Sequence, residues 1–132
     1  MSILKKIFGT KFDRDRKKLQ PLVDRINQLE EEYQGLSDEE IRGQTDQFRR
    51  RYAERTGETR GALEKVQIEL AGEVSSEEED DLKAEERRLI GKLREEEKAA
   101  LDELLPDAFA AVKNVCRRLM GRTISVCGQE IV

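Results

Sequence analysis

Apolar residues recur every three or four positions through most of this sequence of 132 residues, and that spacing limits the folds open to it. It places them along one face of a helix, whereas a half-buried strand alternates polar and apolar residues. Charged residues make up 41% of the chain and apolar residues 36%, so less material is available for a core than in an average globular domain. The sequence therefore predicts an all-α fold: an elongated helical bundle or hairpin with a short extended C-terminal tail.

The first predicted element is a basic amphipathic helix within residues 1–12. Seven bases and two acids fall in residues 1–18, although the whole chain has a net charge of -4. A short helix of this kind binds an anionic lipid interface through apolar side chains on one face and lysines on the other. The alternative is a helix that packs on the protein body or frays in solution. The candidate membrane- or partner-binding residues are Ile3, Leu4, Lys5, Lys6, Ile7, Phe8 and Lys11.

Several functions are disfavoured by what the sequence lacks. It contains no histidine, its two cysteines, Cys116 and Cys127, form no CxxC pair, and no apolar run reaches the length that spans a bilayer. The acids of residues 77–81 would point in all directions around a helix and not toward one metal ion. We call residues 1–18 the basic head. Outside the basic head the chain is acidic, which argues against nucleic acid as a partner. We therefore expect no catalytic, cofactor-binding or metal site, and no enzyme activity in this chain.

Residues 13–57 are predicted to form a pair of helices. The first runs from about Phe12 to Gln34, with Pro21 marking a kink or a fresh helix start. Ser37 and Glu40 fit a capping box that begins the second helix. This second helix is predicted to end at Thr56-Gly57, with an inner face of Ile41, Thr45, Phe48 and Tyr52.

Residues 58–105 resemble a charged helical hairpin inserted between its neighbours. Its turn is predicted at residues 72–76, with Ser76 and Glu79 capping the second arm and Glu79 pairing with Lys83. The hairpin is either a docking arm for another protein or a solvated face. Its leucine seam also suits the pairing of two chains into a homodimer. The seam residues are Leu82, Leu89, Leu93, Ala100 and Leu104.

Residues 106–132 are predicted to form one buried helix followed by an extended tail. Pro106 is a favourable first helical residue, and Gly121 a favourable end. The tail from Thr123 to Cys127 alternates like a short strand, and no turn signal follows before Val132, so we expect a chain that has been cut. The apolar face that the spacing predicts to be buried contains Ala108, Phe109, Val112, Val115, Cys116 and Leu119.

Five runs of residues, in a fixed order along the chain, carry a resemblance to a known family. They are Ile3–Gly9, Asp13-Arg14, Leu36–Arg49, Leu104–Val112 and Gly128–Val132. This order resembles the amino terminus of the SecA family of bacterial preprotein-translocation motors, and Leu104-Leu-Pro-Asp-Ala-Phe-Ala is similar to that family's LLPEAFA run. Residues 58–100 look like an insertion that shorter members of the family lack.

The resemblance implies an N-terminal fragment of SecA, whose full motor couples ATP hydrolysis to preprotein export. The Gln motif and the P-loop would lie beyond Val132, so ATP and Mg²⁺ would bind the parent protein and not this chain. The fragment would brace the ATPase domain and contact the SecYEG channel and acidic phospholipids, while preprotein would be bound by the full motor. Its location would be cytoplasmic, peripheral on the inner membrane. The alternative is a free-standing helical adaptor or coiled-coil protein that binds a membrane surface or a protein partner.

Overall fold

The computed structural model describes residues 10–127 and 129–131. Within these ranges three helices follow one another, α1 (Lys11–Tyr33), α2 (Asp38–Leu70) and α3 (Ser76–Leu119), and two short strands, β1 (Ile124–Val126) and β2 (Gln129–Ile131), complete the described chain. The all-α prediction is confirmed.

Two compact units share these helices. One contains the described residues up to Arg42 together with those from Pro106 onward, and the other contains residues 43–105. The domain boundaries predicted from the sequence, after residues 12, 57 and 105, stay a prediction.

A hydroxyl residue stands directly before each of the three helices, and its side chain accepts a hydrogen bond from the backbone amide of the acidic residue three positions on. The carboxylate of that acidic residue accepts a hydrogen bond from the backbone amide of the hydroxyl residue in return. Such capping boxes satisfy amides that have no partner within the helix. The predicted box at Ser37 and Glu40 is confirmed: the Ser37 amide donates to the Glu40 carboxylate at 2.7 Å, and the Glu40 amide donates to the Ser37 hydroxyl at 3.2 Å. The Ser37 hydrogen bonds also hold the pKa of Glu40 below its usual range. The other pairs are Thr10 with Asp13 and Ser75 with Glu78.

The cap of α3 differs from the prediction by one residue. Ser75, and not Ser76, accepts from the amide of the acid three positions on, which is Glu78. This register leaves Glu79 free of the cap, and its carboxylate accepts from the Lys83 ammonium at 2.6 Å. The predicted pair between Glu79 and Lys83 is therefore confirmed, and the predicted cap at Ser76 is wrong.

The helix break predicted at Thr56-Gly57 is wrong, because α2 continues through it to Leu70. The Thr56 hydroxyl donates to the backbone carbonyl of Tyr52 at 3.0 Å. That bond satisfies, inside the helix, the hydroxyl that would otherwise compete with helical pairing. Thr56 and Thr59 are both buried, so tertiary packing outweighs the weak helix propensity of this stretch.

Neither proline begins a new helix, so the fresh helix starts predicted at Pro21 and Pro106 are wrong. The kink given as the alternative at Pro21 stays a prediction. Pro21 lies inside α1, and Pro106 lies inside α3. An internal proline removes one helix hydrogen bond and costs about 3 kcal/mol. Leu104 and Ala110, on the two sides of Pro106, are both buried, and their packing offsets that cost.

The unit that contains α1 has a small apolar core. It forms where the C-terminal part of α1 meets the first turn of α2 and the last part of α3. Four buried side chains make up its centre, and three partly buried ones pack against them. The centre is Leu29, Tyr33, Ile41 and Ala110, and the surrounding residues are Ile26, Leu36 and Ala111.

The unit of residues 43–105 is a helical hairpin with a mixed seam. Leu89, Ala100 and Leu104 of the predicted seam are buried, as the sequence indicates. On the other arm of the hairpin, which α2 forms, Thr45 is exposed. The prediction that Thr45 belongs to the inner face of this helix is therefore wrong. Between the arms the Glu97 carboxylate accepts from the Tyr52 hydroxyl at 2.9 Å and from the Arg60 guanidinium at 3.0 Å. The Glu97 hydrogen bond, with burial second, raises the pKa of Tyr52.

The tail contains two strands where the sequence predicts one. β1 and β2 pair antiparallel, with Val126 opposite Gln129. Cys127, directly after β1, has a φ of 51°, a left-handed conformation that is common in tight hairpin turns. The predicted helix end is confirmed: α3 ends at Leu119, and Gly121 follows with a φ of 74°.

Candidate partner-binding surface

Six of the seven residues predicted to bind a membrane or partner lie outside the described residues. They are Ile3, Leu4, Lys5, Lys6, Ile7 and Phe8. The seventh, Lys11, is the first residue of α1 and is exposed. Directly after it the structure places a part of α1 whose apolar side chains are also exposed, among them Phe12, Leu19 and Val23.

The last part of α3 packs against α1 through its small and polar side chains. Ala110 is 0% exposed and Asn114 is 1% exposed. The Asn114 amide nitrogen lies 3.5 Å from the backbone carbonyl of Glu30, which it faces across the contact. A short side chain at position 110 lets the two helices approach closely, and Tyr33 and Leu29 of α1 fill the space beside it.

The large apolar side chains of the same part of α3 point outward, so the predicted buried face is wrong. Phe109 is 58% exposed, Val112 is 62% exposed and Leu119 is 46% exposed. With Val115 they recur at steps of three and four residues, which lines them up along one side of the helix. We call Phe109, Val112, Val115 and Leu119 the outward stripe. Cys116 lies beside it and is also exposed.

A buried carboxylate orients α3 on α1. Glu30 is 1% exposed, and its oxygens lie 2.9 Å from an Arg117 guanidinium nitrogen and 3.8 Å from the Lys113 ammonium. The ammonium of Lys113 also donates to the side-chain oxygen of Asn27 at 2.6 Å. A buried carboxylate without cations would be strongly destabilising, so the side of α3 that bears Lys113 and Arg117 must face α1.

Arg118 closes this unit by joining three of its segments. Its guanidinium donates to the backbone carbonyls of Tyr33 at 3.0 Å and Leu36 at 2.6 Å, just where α1 ends. It also donates to Asp38 in the first turn of α2 at 2.7 Å and to the Asn114 side chain at 2.7 Å. Carbonyls at a helix end have no partner within the helix, and a cation suits the negative end of the helix dipole.

A small groove opens beside Arg118, and we call it the Arg122 groove. Its volume is about 160 Å³. Ile41, Val115 and Leu119 supply its apolar surface, and the outward stripe therefore runs into it. Asp38 and three arginines, Arg42, Arg118 and Arg122, complete the lining.

The charged residues that line the Arg122 groove are mainly positive. The hydrogen bond from Arg118 lowers the pKa of Asp38, and the nearby charges of Arg118, Arg122 and Arg42 lower it further. Asp38 is thus fully ionised at neutral pH, yet it offers one negative charge against three positive ones. This arrangement is suited to binding and not to acid or base catalysis.

Within residues 10–127 and 129–131 no group of three or more His, Cys, Asp or Glu side chains is placed to hold a metal ion. No helix in these ranges is long and apolar enough to cross a membrane.

Sequence reasoning missed Glu30, Asn114 and Arg118, which together hold this surface in place. Most of their partners lie eighty or more positions away in the chain, for example 84 for Asn114 with Glu30 and 80 for Arg118 with Asp38. Periodicity treats a charged or amide residue as solvent-facing, so it offered no signal for these contacts. The one available sign was the predicted cap at Ser37, which located the first turn of α2 that Arg118 meets.

Comparisons with known proteins identify relatives along the whole chain. Residues 4–126 match the family described as the SecA DEAD-like domain. A protein translocase subunit SecA from Chlorobaculum tepidum is 38% identical over 100% of the chain, which is 13% of that relative's length. The subunit of the same name from Chloroherpeton thalassium is 38% identical over 97% of the chain, or 12% of that relative. The chain thus spans about an eighth of these relatives. No solved structure matches it.

Proposed function

Because the chain belongs to the SecA family, we propose that it is an N-terminal segment of a protein translocase subunit, where it braces the remainder of that polypeptide. The outward stripe is the bracing surface. The remainder is the part that couples ATP hydrolysis to preprotein export, and it, not this segment, binds ATP, Mg²⁺ and preprotein.

The observation that carries this proposal is the exposure of the outward stripe. Four large apolar side chains lie in a row on the side of α3 that faces away from α1. Contiguous apolar patches on a protein surface mark contacts with other protein or with membrane. Since the relatives are about eight times longer than this chain, the polypeptide to cover the stripe is available in the same molecule.

Thiol reactivity of Cys116 tests the bracing surface. Cys116 lies beside the stripe and is exposed, so it should react with a maleimide at the rate of an unhindered thiol in the isolated chain. In the full-length translocase subunit its labelling should slow at least about tenfold, because a bound surface excludes the reagent. Equal labelling rates in the two proteins would contradict bracing through this face. Cys127→Ser leaves Cys116 as the only thiol of the isolated chain, and in the full-length subunit mass spectrometry of the peptide that contains Cys116 follows the labelling of this thiol alone.

The second part of the proposal concerns the basic head. Ile3, Leu4, Ile7 and Phe8 alternate with Lys5 and Lys6 in the pattern of an interfacial helix, and Lys11 adds a further base. We propose that the basic head binds acidic phospholipid and the SecYEG channel, and that it does so at the cytoplasmic face of the inner membrane. Each base near an anionic membrane contributes about 1 kcal/mol.

Liposome flotation tests the head. The chain should float with vesicles that contain phosphatidylglycerol and stay behind with purely zwitterionic vesicles. Lys5→Glu with Lys6→Glu exchanges two attractive charges for two repulsive ones and should reduce the floated fraction at least about tenfold. A matched control, Lys92→Glu with Lys98→Glu, makes the same change of net charge within residues 43–105. If the head variant floats as well as the wild-type chain does, electrostatic anchoring by the head is excluded.

A further inference from the structure

The Arg122 groove has a charge pattern that bracing by an apolar stripe does not by itself require. Its apolar surface comes from Ile41, Val115 and Leu119, while its lining has three cations and one anion. The whole chain has a net charge of -4, whereas the charged residues that line this apolar cleft have a positive net charge.

The three arginines are not equivalent. Arg118 is engaged by Asp38, Asn114 and two backbone carbonyls, so its role is to hold the unit together. Arg42 lies 3.8 Å from Glu39 in a pair that is exposed on both sides, and such pairs contribute at most about 1 kcal/mol. Arg122 makes no side-chain hydrogen bond or ion pair with the residues of the described ranges. Its guanidinium is therefore the cation available to a ligand.

We propose that the Arg122 groove receives an acidic amphipathic segment, with an aliphatic side chain in the cleft and a carboxylate on Arg122. The proposal rests on the proposed function, because we assign this segment to the part of the translocase polypeptide that covers the outward stripe. Charge complementarity selects this occupant. A basic segment would meet like charges, and a purely apolar one would leave Arg122 desolvated and unpaired.

The size of the groove fits one branched aliphatic side chain. A volume of about 160 Å³ is too small for a cofactor, since ligand pockets are typically ~300 Å³ or larger. The bidentate geometry of a guanidinium also matches a carboxylate better than it matches a single hydroxyl or amide oxygen. The aliphatic contact supplies affinity, and the carboxylate fixes the register of the bound segment.

A pair of matched peptides tests this assignment on the intact chain. Both contain the same leucines at helical spacing; one carries glutamates between them, and the other carries lysines. Each is titrated into the ¹⁵N-labelled chain, and the amide shifts of Ile41, Val115 and Leu119 are followed. At low ionic strength the glutamate peptide should bind about five- to tenfold more tightly than the lysine peptide, and 0.5 M salt should reduce the difference to about twofold.

Three variants separate the two components of binding. Arg122→Glu should abolish or invert the preference for the glutamate peptide, while Leu119→Ser should weaken both peptides alike. Arg50→Glu changes the net charge by the same amount within residues 43–105 and should leave the preference intact. Circular dichroism confirms that each variant keeps its helix content, which is expected because all three side chains are exposed.

Each remaining outcome overturns the proposal. These outcomes are equal affinity for the two peptides, shifts that map away from the groove, and an absence of binding. Groove shifts that depend on chain concentration without peptide would identify a second copy of this chain as the occupant instead. Failure here is distinct from failure of the proposed function, because Cys116 protection in the full-length subunit does not depend on Arg122.

Discussion

Replacing Arg118 by alanine is expected to lower the free energy of unfolding by about 3 kcal/mol. The side chain donates to two backbone carbonyls, one carboxylate and one amide oxygen, at distances from 2.6 to 3.0 Å. Hydrogen bonds that involve a charged group each contribute about 1.5–3 kcal/mol, although contributions within one network do not simply add.

The loss should be large because the acceptors cannot all turn to water. Asn114 is 1% exposed, and its side-chain oxygen would lose the Arg118 donor inside the contact between α1 and α3. The carbonyls of Tyr33 and Leu36 would lose the cation that terminates α1. An unsatisfied buried acceptor costs more than the hydrogen bond itself contributes.

Urea unfolding followed by circular dichroism at 222 nm measures this effect. Arg122→Ala is the matched control, because it removes the same guanidinium group three positions from the last residue of α3 without breaking a side-chain hydrogen bond within the described ranges. It should change the unfolding free energy by less than about 0.5 kcal/mol. If the two variants lose stability equally, the four contacts of Arg118 contribute nothing specific.

The pH dependence of Arg118→Ala provides a second readout. The pKa of Asp38 is lowered in the folded chain, chiefly by the Arg118 hydrogen bond. Because the pKa of Asp38 is lower in the folded chain than in the unfolded chain, the ionised Asp38 carboxylate stabilises the fold. This stabilisation is fully present at pH values above the pKa in the unfolded chain, which is near 3.8, and it is lost as the pH falls through the pKa in the folded chain. Arg118→Ala should therefore lose less stability than the wild-type chain does when the pH falls below about 4.

Ala110→Leu is expected to destabilise the protein by about 2–3 kcal/mol, whereas Phe109→Gln, one position away, should cost less than about 0.5 kcal/mol. Ala110 is 0% exposed in the small core with Leu29 and Tyr33. Extra methyl groups there force the two helices apart. Phe109 is 58% exposed, so its removal leaves no cavity in the isolated chain.

This pair of variants tests the orientation of α3 directly, because a helix rotated to bury its larger side chains would give the opposite ranking. Thermal and urea unfolding of both variants measure it. If Phe109→Gln loses more stability than Ala110→Leu does, the orientation of α3 described above is contradicted. Ala110→Gly serves as a further control, since it should cost about 1 kcal/mol from helix propensity alone.

Much of the local structure follows from the sequence. The spacing of apolar residues predicted helices, and the hydroxyl and acid at Ser37 and Glu40 located the start of α2 through their own hydrogen bonds. Gly121 marked the end of α3 because its φ of 74° is unfavourable for other residues. These features depend on interactions between residues within four positions of each other, so they can be predicted from the sequence without knowledge of the fold. The breaks predicted at Thr56 and Pro106 failed because packing outweighed a local preference of a few kcal/mol.

The last part of α3 has apolar residues on two sides, and its periodicity does not say which side is covered. Only the tertiary structure decided that Ala110 and Asn114 face α1 while Phe109 and Val112 face outward. The physical reason is that the inward side also carries Lys113 and Arg117, which the buried Glu30 requires as counter-charges. Such pairing joins residues more than eighty positions apart, and no local pattern in the chain encodes it.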